Sequence, residues 1–202
     1  MKLAELSTRS GVSIATIKYW IRAGILPAGV KRNATTADYT DRHLARLNLI
    51  HLLRDDLDTP IDEIRELTHL IDTHAPNTRI MEKSQCLALR LTHPPQNQDS
   101  SEHQRVRAIS EQLGWPDVPS WAREELVVVL RRLGDKGLNV DNDYLLEHAR
   151  AFAKVASHNV GYALTAREPD ELAIQVIRGV RLSRDLENAI SALAHTSHSL
   201  SR

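Results

Sequence analysis

Gly11-Val-Ser-Ile-Ala-Thr-Ile-Lys-Tyr-Trp20-Ile-Arg-Ala-Gly24 is the stretch on which the fold turns. Ile14, Ile17 and Ile21 recur at spacings of three and four, so a helix places them on one face. Ser13 offers a cap oxygen at its start, and the helix runs to about Ala23, where Gly24 stops it. Upstream, Ala4 to Arg9 reads as a short helix with Leu3 and Leu6 as its apolar positions, ended by Gly11. Two short helices around a glycine turn make a helix-turn-helix. Thr16, Lys18, Tyr19 and Arg22 fall off the isoleucine stripe, and each can donate to phosphates or base edges. With Ser13 they form the candidate DNA-reading set, a reading favoured over a helical hairpin that merely packs in a core.

Outward from that stretch, Ala28 to Tyr39 combines turn residues, two adjacent bases and a β-prone end, the pattern of a hairpin wing. Lys31 and Arg32 would lie along phosphates and release counterions, with Asn33 and Tyr39 beside them. A solvated loop is the competing reading. Asp41 to Leu57 reads as a third helix and Ile61 to Ile71 as a fourth, the latter capped by Thr59 with Pro60 in its first turn. The module is expected to close near Asp72.

Charge supports the same division. The chain's 202 residues hold 26 Lys and Arg against 26 Asp and Glu. Yet Met1 to Arg54 holds nine bases (Lys2, Arg9, Lys18, Arg22, Lys31, Arg32, Arg42, Arg46, Arg54) against three acids (Glu5, Asp38, Asp41). A basic block on a neutral chain is the footprint expected of a module that binds double-stranded DNA.

The order of these pieces resembles the start of a MerR-type regulator: Leu3-Ala-Glu-Leu6, Gly11 to Trp20, Ala23-Gly-Ile-Leu-Pro27, a wing ending in Tyr39, His43-Leu44, and Asp62-Glu-Ile-Arg-Glu-Leu67. The resemblance covers about the first 70 residues. It implies a winged helix-turn-helix followed by a helical pair that also touches DNA, with Thr16, Lys18 and Tyr19 at the DNA. It further implies a dimer on a pseudo-palindromic operator, distortion of the DNA between half-sites when an effector binds, and action beside RNA polymerase. Simple steric repression stays open. The chain departs from the family in three places: Lys18 stands where arginine is usual and lacks its fork, Ile21 stands where an acid is frequent, and Ala37-Asp38 precede Tyr39 in place of an arginine. Asn33, Thr35 and Thr36 are the substitutes for that wing contact. The family's long coiled-coil helix would begin after residue 72, but no sustained heptads stand there.

Met81 to Leu91 is helix-like, and His93 to Ser101 is a Pro-rich, polar break. Beyond it, Glu102–Leu113, Trp121–Gly134, Val140–Tyr162 (capped by Asp141), Glu168–Leu182 and Ser183–Ser197 read as five helices, and no strand stands out. This half loosely resembles the ligand and dimer domains of TetR-type regulators. The resemblance assigns dimerisation to the last two helices through Leu172, Ile174, Val176, Ile177, Val180, Leu182, Leu186, Ile190 and Leu193, with packing inside one protomer as the alternative. The expected fold is therefore mainly α: a winged helix-turn-helix (1–72), a connecting helix and linker (73–101), and an all-helical effector and dimer domain (102–202).

Trp115, Trp121, Tyr144, Phe152 and Tyr162 are the candidates to line a pocket for a small apolar or aromatic effector. Core packing is the plainer role for each. His195 with His198, and His69 with His74, are close in sequence, but no further ligands complete a metal site, so neither metal nor cofactor is expected. Cys86 is the chain's one cysteine, which excludes an internal disulfide and leaves no resolving partner for a redox switch. No phosphate loop, nucleophile elbow or paired catalytic carboxylates argue for an enzyme. An effector-independent architectural or accessory DNA binder is the alternative function. No signal peptide or apolar span is evident, so the expected location is the bacterial cytoplasm, at the nucleoid.

Overall fold

Gly11, at a φ of 71°, closes α1 (Leu3–Ser10) in the left-handed conformation that glycine adopts without a Cβ penalty. Ser13 then turns the chain into α2 (Ile14–Arg22): its Oγ accepts the Thr16 backbone N–H at 3.1 Å. The structure, a computed structural model, describes residues 1–33 and 36–201. Thr35, one of the expected wing contacts, lies outside the described residues.

The wing is a hairpin of β1 (Val30–Lys31) and β2 (Ala37–Asp38), antiparallel, with Val30 opposite Asp38 and Lys31 opposite Ala37. Gly29 sets its base. A Cβ there would come within 2.9 Å of the Tyr39 ring and of the Asp38 carbonyl, so the strand passes where only glycine fits. α3 (Asp41–His51) runs on into a π-helical turn, Leu52–Asp56, in place of the single helix expected to Leu57. α4 (Ile61–Asp72) buries Ile64, Leu67 and Ile71, the stripe read from the sequence. Its cap differs from expectation. Pro60 occupies the N-cap position without a side-chain bond, while Thr59 is buried, donating its N–H to the Leu53 carbonyl at 2.8 Å and accepting from Arg54 at 2.9 Å. α5 (Asn77–Leu89) follows.

The chain then leaves this unit and later returns to it. One compact unit comprises residues 1–88 and 163–202; the other comprises 89–162. The division differs from the three consecutive segments expected. The returning segment is α9 (Pro169–Leu200), a single helix of 32 residues where two were expected. Ser183 does not break it: no glycine or proline stands at the expected junction, and a mid-helix serine costs only about 0.5 kcal/mol relative to alanine. Leu172, Ala173, Val176 and Ile177 join the core formed by Leu6, Ile17, Ile25, Leu47, Ile50, Leu53 and Leu67. Burial of each larger side chain contributes roughly 1.5–3 kcal/mol, so the first two turns of α9 are a substantial part of this core. Ile174 and Val180 pack against it as well. Five of the nine residues expected at a dimer interface are thus internal to the protomer, and Leu182, Leu186, Ile190 and Leu193 are exposed.

Cys86 lies in α5, 8 % exposed, and burial is the main cause that pushes its thiol up to about 11. At pH 8 the folded protein should react with a thiol reagent at least about 100-fold more slowly than the urea-unfolded chain, because the thiolate is the reacting form. Equal rates in a stopped-flow labelling assay would contradict this placement.

The second unit contains α6 (Ser101–Leu113), α7 (Trp121–Asp135) and most of α8 (Asn142–Ala163). Ser100 and His103 form a capping box at the start of α6, and the His103 Nε2 faces the Glu124 carboxylate at 3.3 Å, both side chains buried. Val106, Val127 and Leu130 form its core with Leu126 and Leu145 against them. Asp141 accepts the Tyr144 N–H at 2.7 Å, the cap read from the sequence.

Candidate nucleic-acid interface

α2 packs inward through Ile17, which is fully buried, while Lys18, Tyr19 and Arg22 stand on its outer face and are exposed. A 3.6-residue period puts those three opposite Ile17. Ser13 and Thr16 sit at its first turn. Their hydroxyls pair with each other at 2.8 Å, so Ser13 serves as the helix cap. Ile14 is 40 % exposed, and the buried stripe is correspondingly narrower than the three isoleucines implied.

The cations sort into two groups. Lys2 and Arg32 both bind Asp38, at 2.8 and 2.6 Å; Arg9 pairs with Asp41 and Arg42 with Asp72. The Lys2 ammonium beside Asp38, with Arg32, holds that carboxyl below the usual range. Arg46, counted from the sequence with the surface bases, is fully buried and ion-paired inside the unit. Among the described residues, Lys18, Arg22, Lys31 and Arg54 have no acidic partner, and Arg54 donates to the Thr59 carbonyl. Three of these four stand on the outer face of α2 and on the first wing strand, and Arg54 stands in the π-helical turn after α3.

Within the wing, Asn33 Oδ1 accepts the Thr36 N–H at 2.8 Å and the Thr36 hydroxyl at 2.6 Å. Tyr39 is a correction. It is 7 % exposed, its ring meets His43 edge-on at 5.1 Å, and its backbone exchanges hydrogen bonds with Met1. A ring this large joins the core more favourably than it lies in water, so Tyr39 anchors the wing. His43 Nδ1 accepts the Thr40 N–H at 3.1 Å, and burial lowers its pKa, which keeps the ring neutral at pH 7.

A cleft of about 350 Å³ opens beside α2, lined by Thr16, Tyr19, Trp20, Arg54, Asp55 and Ile61. The end of α2 is held by two arginines: Arg65 Nε donates to the Ala23 carbonyl at 3.1 Å, and Arg46 donates to the Ile25 carbonyl at 3.2 Å. Sequence reasoning missed both. A signal for Arg46 existed, since it falls on the apolar stripe of α3 with Leu47, Ile50 and Leu53.

In the second unit, Trp115, Tyr144, Phe152 and Tyr162 are 43, 53, 46 and 62 % exposed, and Trp121 is half-buried at the start of α7. Tyr144, Phe152 and Tyr162 share one face of α8 with Val155, and the Tyr144 ring lies tilted by 43° against His148 with 4.2 Å between centroids. Among the described residues, no three or more His, Cys, Asp and Glu side chains are grouped to hold a metal ion. Likewise, none of the described helices is long and apolar enough to cross a membrane.

The chain is similar to known regulators on two scales. Over its whole length it superposes on the crystal structure of the candidate transcriptional regulator SCO5550 from Streptomyces coelicolor A3(2), with a TM-score of 0.69 and 26 % identity, covering 100 % of this chain and 97 % of that one. Over 70 residues it is 31 % identical to the HTH-type transcriptional regulator ZntR homolog of Haemophilus influenzae, which is 35 % of this chain and 51 % of the relative. The chain thus spans about half the length of that curated relative. The family model described as MerR HTH family regulatory protein matches residues 1–70, the segment containing α1, α2, the wing, α3 and most of α4. Residues 1–70 are thus similar to the helix-turn-helix module of the MerR regulatory proteins.

Proposed function

We propose that this protein is a sequence-specific DNA-binding transcription regulator that reads an inverted repeat as a homodimer and answers to a small-molecule effector. The observation that carries the DNA reading is the outer face of α2, where Lys18, Tyr19 and Arg22 stand exposed and no acid pairs with Lys18 or Arg22, whereas Lys2, Arg9 and Arg32 are held in ion pairs. Tyr19 and Lys18 enter the major groove and contact base edges, and Lys31 lies against phosphate.

Dimerisation is assigned to the distal half of α9. Leu182, Leu186, Ile190, Leu193 and Leu200 are 57–83 % exposed, and their spacings of four, four, three and seven keep them on one face. At roughly 100 Å² each, two such helices cover on the order of 1,000 Å² when paired, the threshold for a stable interface. A second copy is the matching occupant because an inverted repeat needs two readers in two-fold relation. Effector sensing is assigned to the second unit, whose aromatic α8 face offers stacking surface for an apolar or aromatic ligand.

Lys18→Ala and Tyr19→Ala should each weaken binding to DNA selected by the wild-type protein by about 5- to 150-fold, with the circular dichroism unchanged. Lys31→Ala should weaken all sequences alike and lower the salt slope by about one. Full affinity in both α2 variants, measured by fluorescence anisotropy, would refute the reading of α2 as the recognition helix.

A further inference from the structure

The Arg46 guanidinium joins four segments. Its Nη1 donates to the Ile25 carbonyl, at the exit from α2, at 3.2 Å. Its Nη2 and Nη1 hold Asp72, at the end of α4, at 2.8 and 3.2 Å. Its Nε bonds Asp170, in the first turn of α9, and Arg46 itself belongs to α3. The Arg46 and Asp170 side chains are each 1 % exposed. The helix that Asp170 opens is the one whose far half carries the exposed leucine and isoleucine face.

We infer that Arg46 and Asp170 are positioning residues that fix the angle between the recognition helix and the dimer seam, and thereby set the half-site spacing the protein accepts. The inference rests on the proposal that the distal half of α9 is the dimer seam. An α-helix rises 1.5 Å per residue, so Ile190 lies roughly 30 Å along the axis from Asp170. A tilt of about 10° at the Asp170 end displaces that point by about 5 Å, more than the ~3.4 Å step between base pairs. Apolar side chains at this joint would pack without fixing direction. A bidentate guanidinium satisfied by two carboxylates and a carbonyl specifies one geometry. Buried ion pairs are commonly dispensable for stability, so a role in conformational specificity is the separable one to test.

The test uses the full chain. Light scattering first establishes the dimer, and selection from random duplex DNA with the wild-type protein defines the half-sites. Binding is then measured on duplexes carrying those half-sites at graded spacings. Wild type should prefer one spacing over its neighbours by about tenfold or more. Asp170→Asn, and the apolar pair Arg46→Met with Asp170→Leu, should flatten that preference to about threefold or less, and Asp170→Asn, which keeps the Arg46–Ile25 bond, should bind a single half-site as wild type does. A spacing profile unchanged in either folded, dimeric variant overturns the inference. If Asp170→Asn does not fold, a seven-residue helical insertion after Arg181 decides: it keeps the Arg46 joint, moves the seam about 10 Å along the axis, and should change the preferred spacing. An unchanged preference there also overturns it. A monomeric wild type, or no inverted repeat in the selection, refutes instead the dimer reading on which the inference stands.

Discussion

Replacing Arg46 by methionine should lower the unfolding free energy of the unit formed by residues 1–88 and 163–202 by about 3–5 kcal/mol, a fall of roughly 10 °C in Tm. The physical reason is what remains behind. Asp170 keeps its carboxylate at 1 % exposure with no cation beside it, whereas Asp72, at 36 %, is rehydrated by solvent. An orphaned buried charge costs far more than the pair contributes. The Ile25 carbonyl also loses its donor, a further cost of about 1 kcal/mol. Adding Asp170→Leu removes the orphan and should restore stability to within about 2 kcal/mol of wild type, a coupling that a double-mutant cycle measures directly. Hydrogen exchange of the α3 and α4 amides reads this unit apart from the other, which a global melt does not. A loss below about 1 kcal/mol in the single variant would mean that Arg46 and Asp170 are not a buried pair.

The second large effect concerns assembly. Leu186→Glu combined with Ile190→Glu should convert the proposed dimer to a monomer and weaken binding to the selected inverted repeat by at least about 100-fold, because two coupled half-site contacts become one. Both side chains are exposed in the protomer, at 60 and 57 %, so the fold itself should survive. Four carboxylates brought into one apolar seam must be desolvated without partners, which the modest area available does not offset. Light scattering and anisotropy on the same sample decide it. A dimer that persists with both glutamates places the interface elsewhere.

Much of the DNA-binding unit was legible because its signals are local. Gly11 and Ser13 mark the turn and cap between α1 and α2, and the apolar periods of α2 and α4 follow from residues within one or two turns of each other. The outer face of α2 was legible for the same reason: Lys18, Tyr19 and Arg22 are whatever the buried stripe leaves over. What escaped depends on partners distant in sequence. Arg46 and Asp170 are 124 positions apart, and each alone looks like an ordinary helix charge. Arg32 reads as a free phosphate contact in the sequence, whereas its guanidinium pairs with the Asp38 carboxylate at 2.6 Å. Tyr39 looked like wing surface because its neighbours are polar, yet the close pass of Gly29 turns it into the core. The continuity of α9 was missed because a serine after leucine resembles a cap, and only the absence of a competing turn keeps it helical.

A dimer that reads DNA sequence should select its operator from a whole genome. Genome fragments should be captured on the wild-type protein at about 150 mM salt, where nonspecific phosphate binding is weak, and then sequenced. Enrichment of one inverted repeat is expected, and it should be lost when Lys18 and Tyr19 are both replaced by alanine. Retention of fragments that share no motif, by a protein confirmed as a folded dimer, would contradict sequence-specific reading.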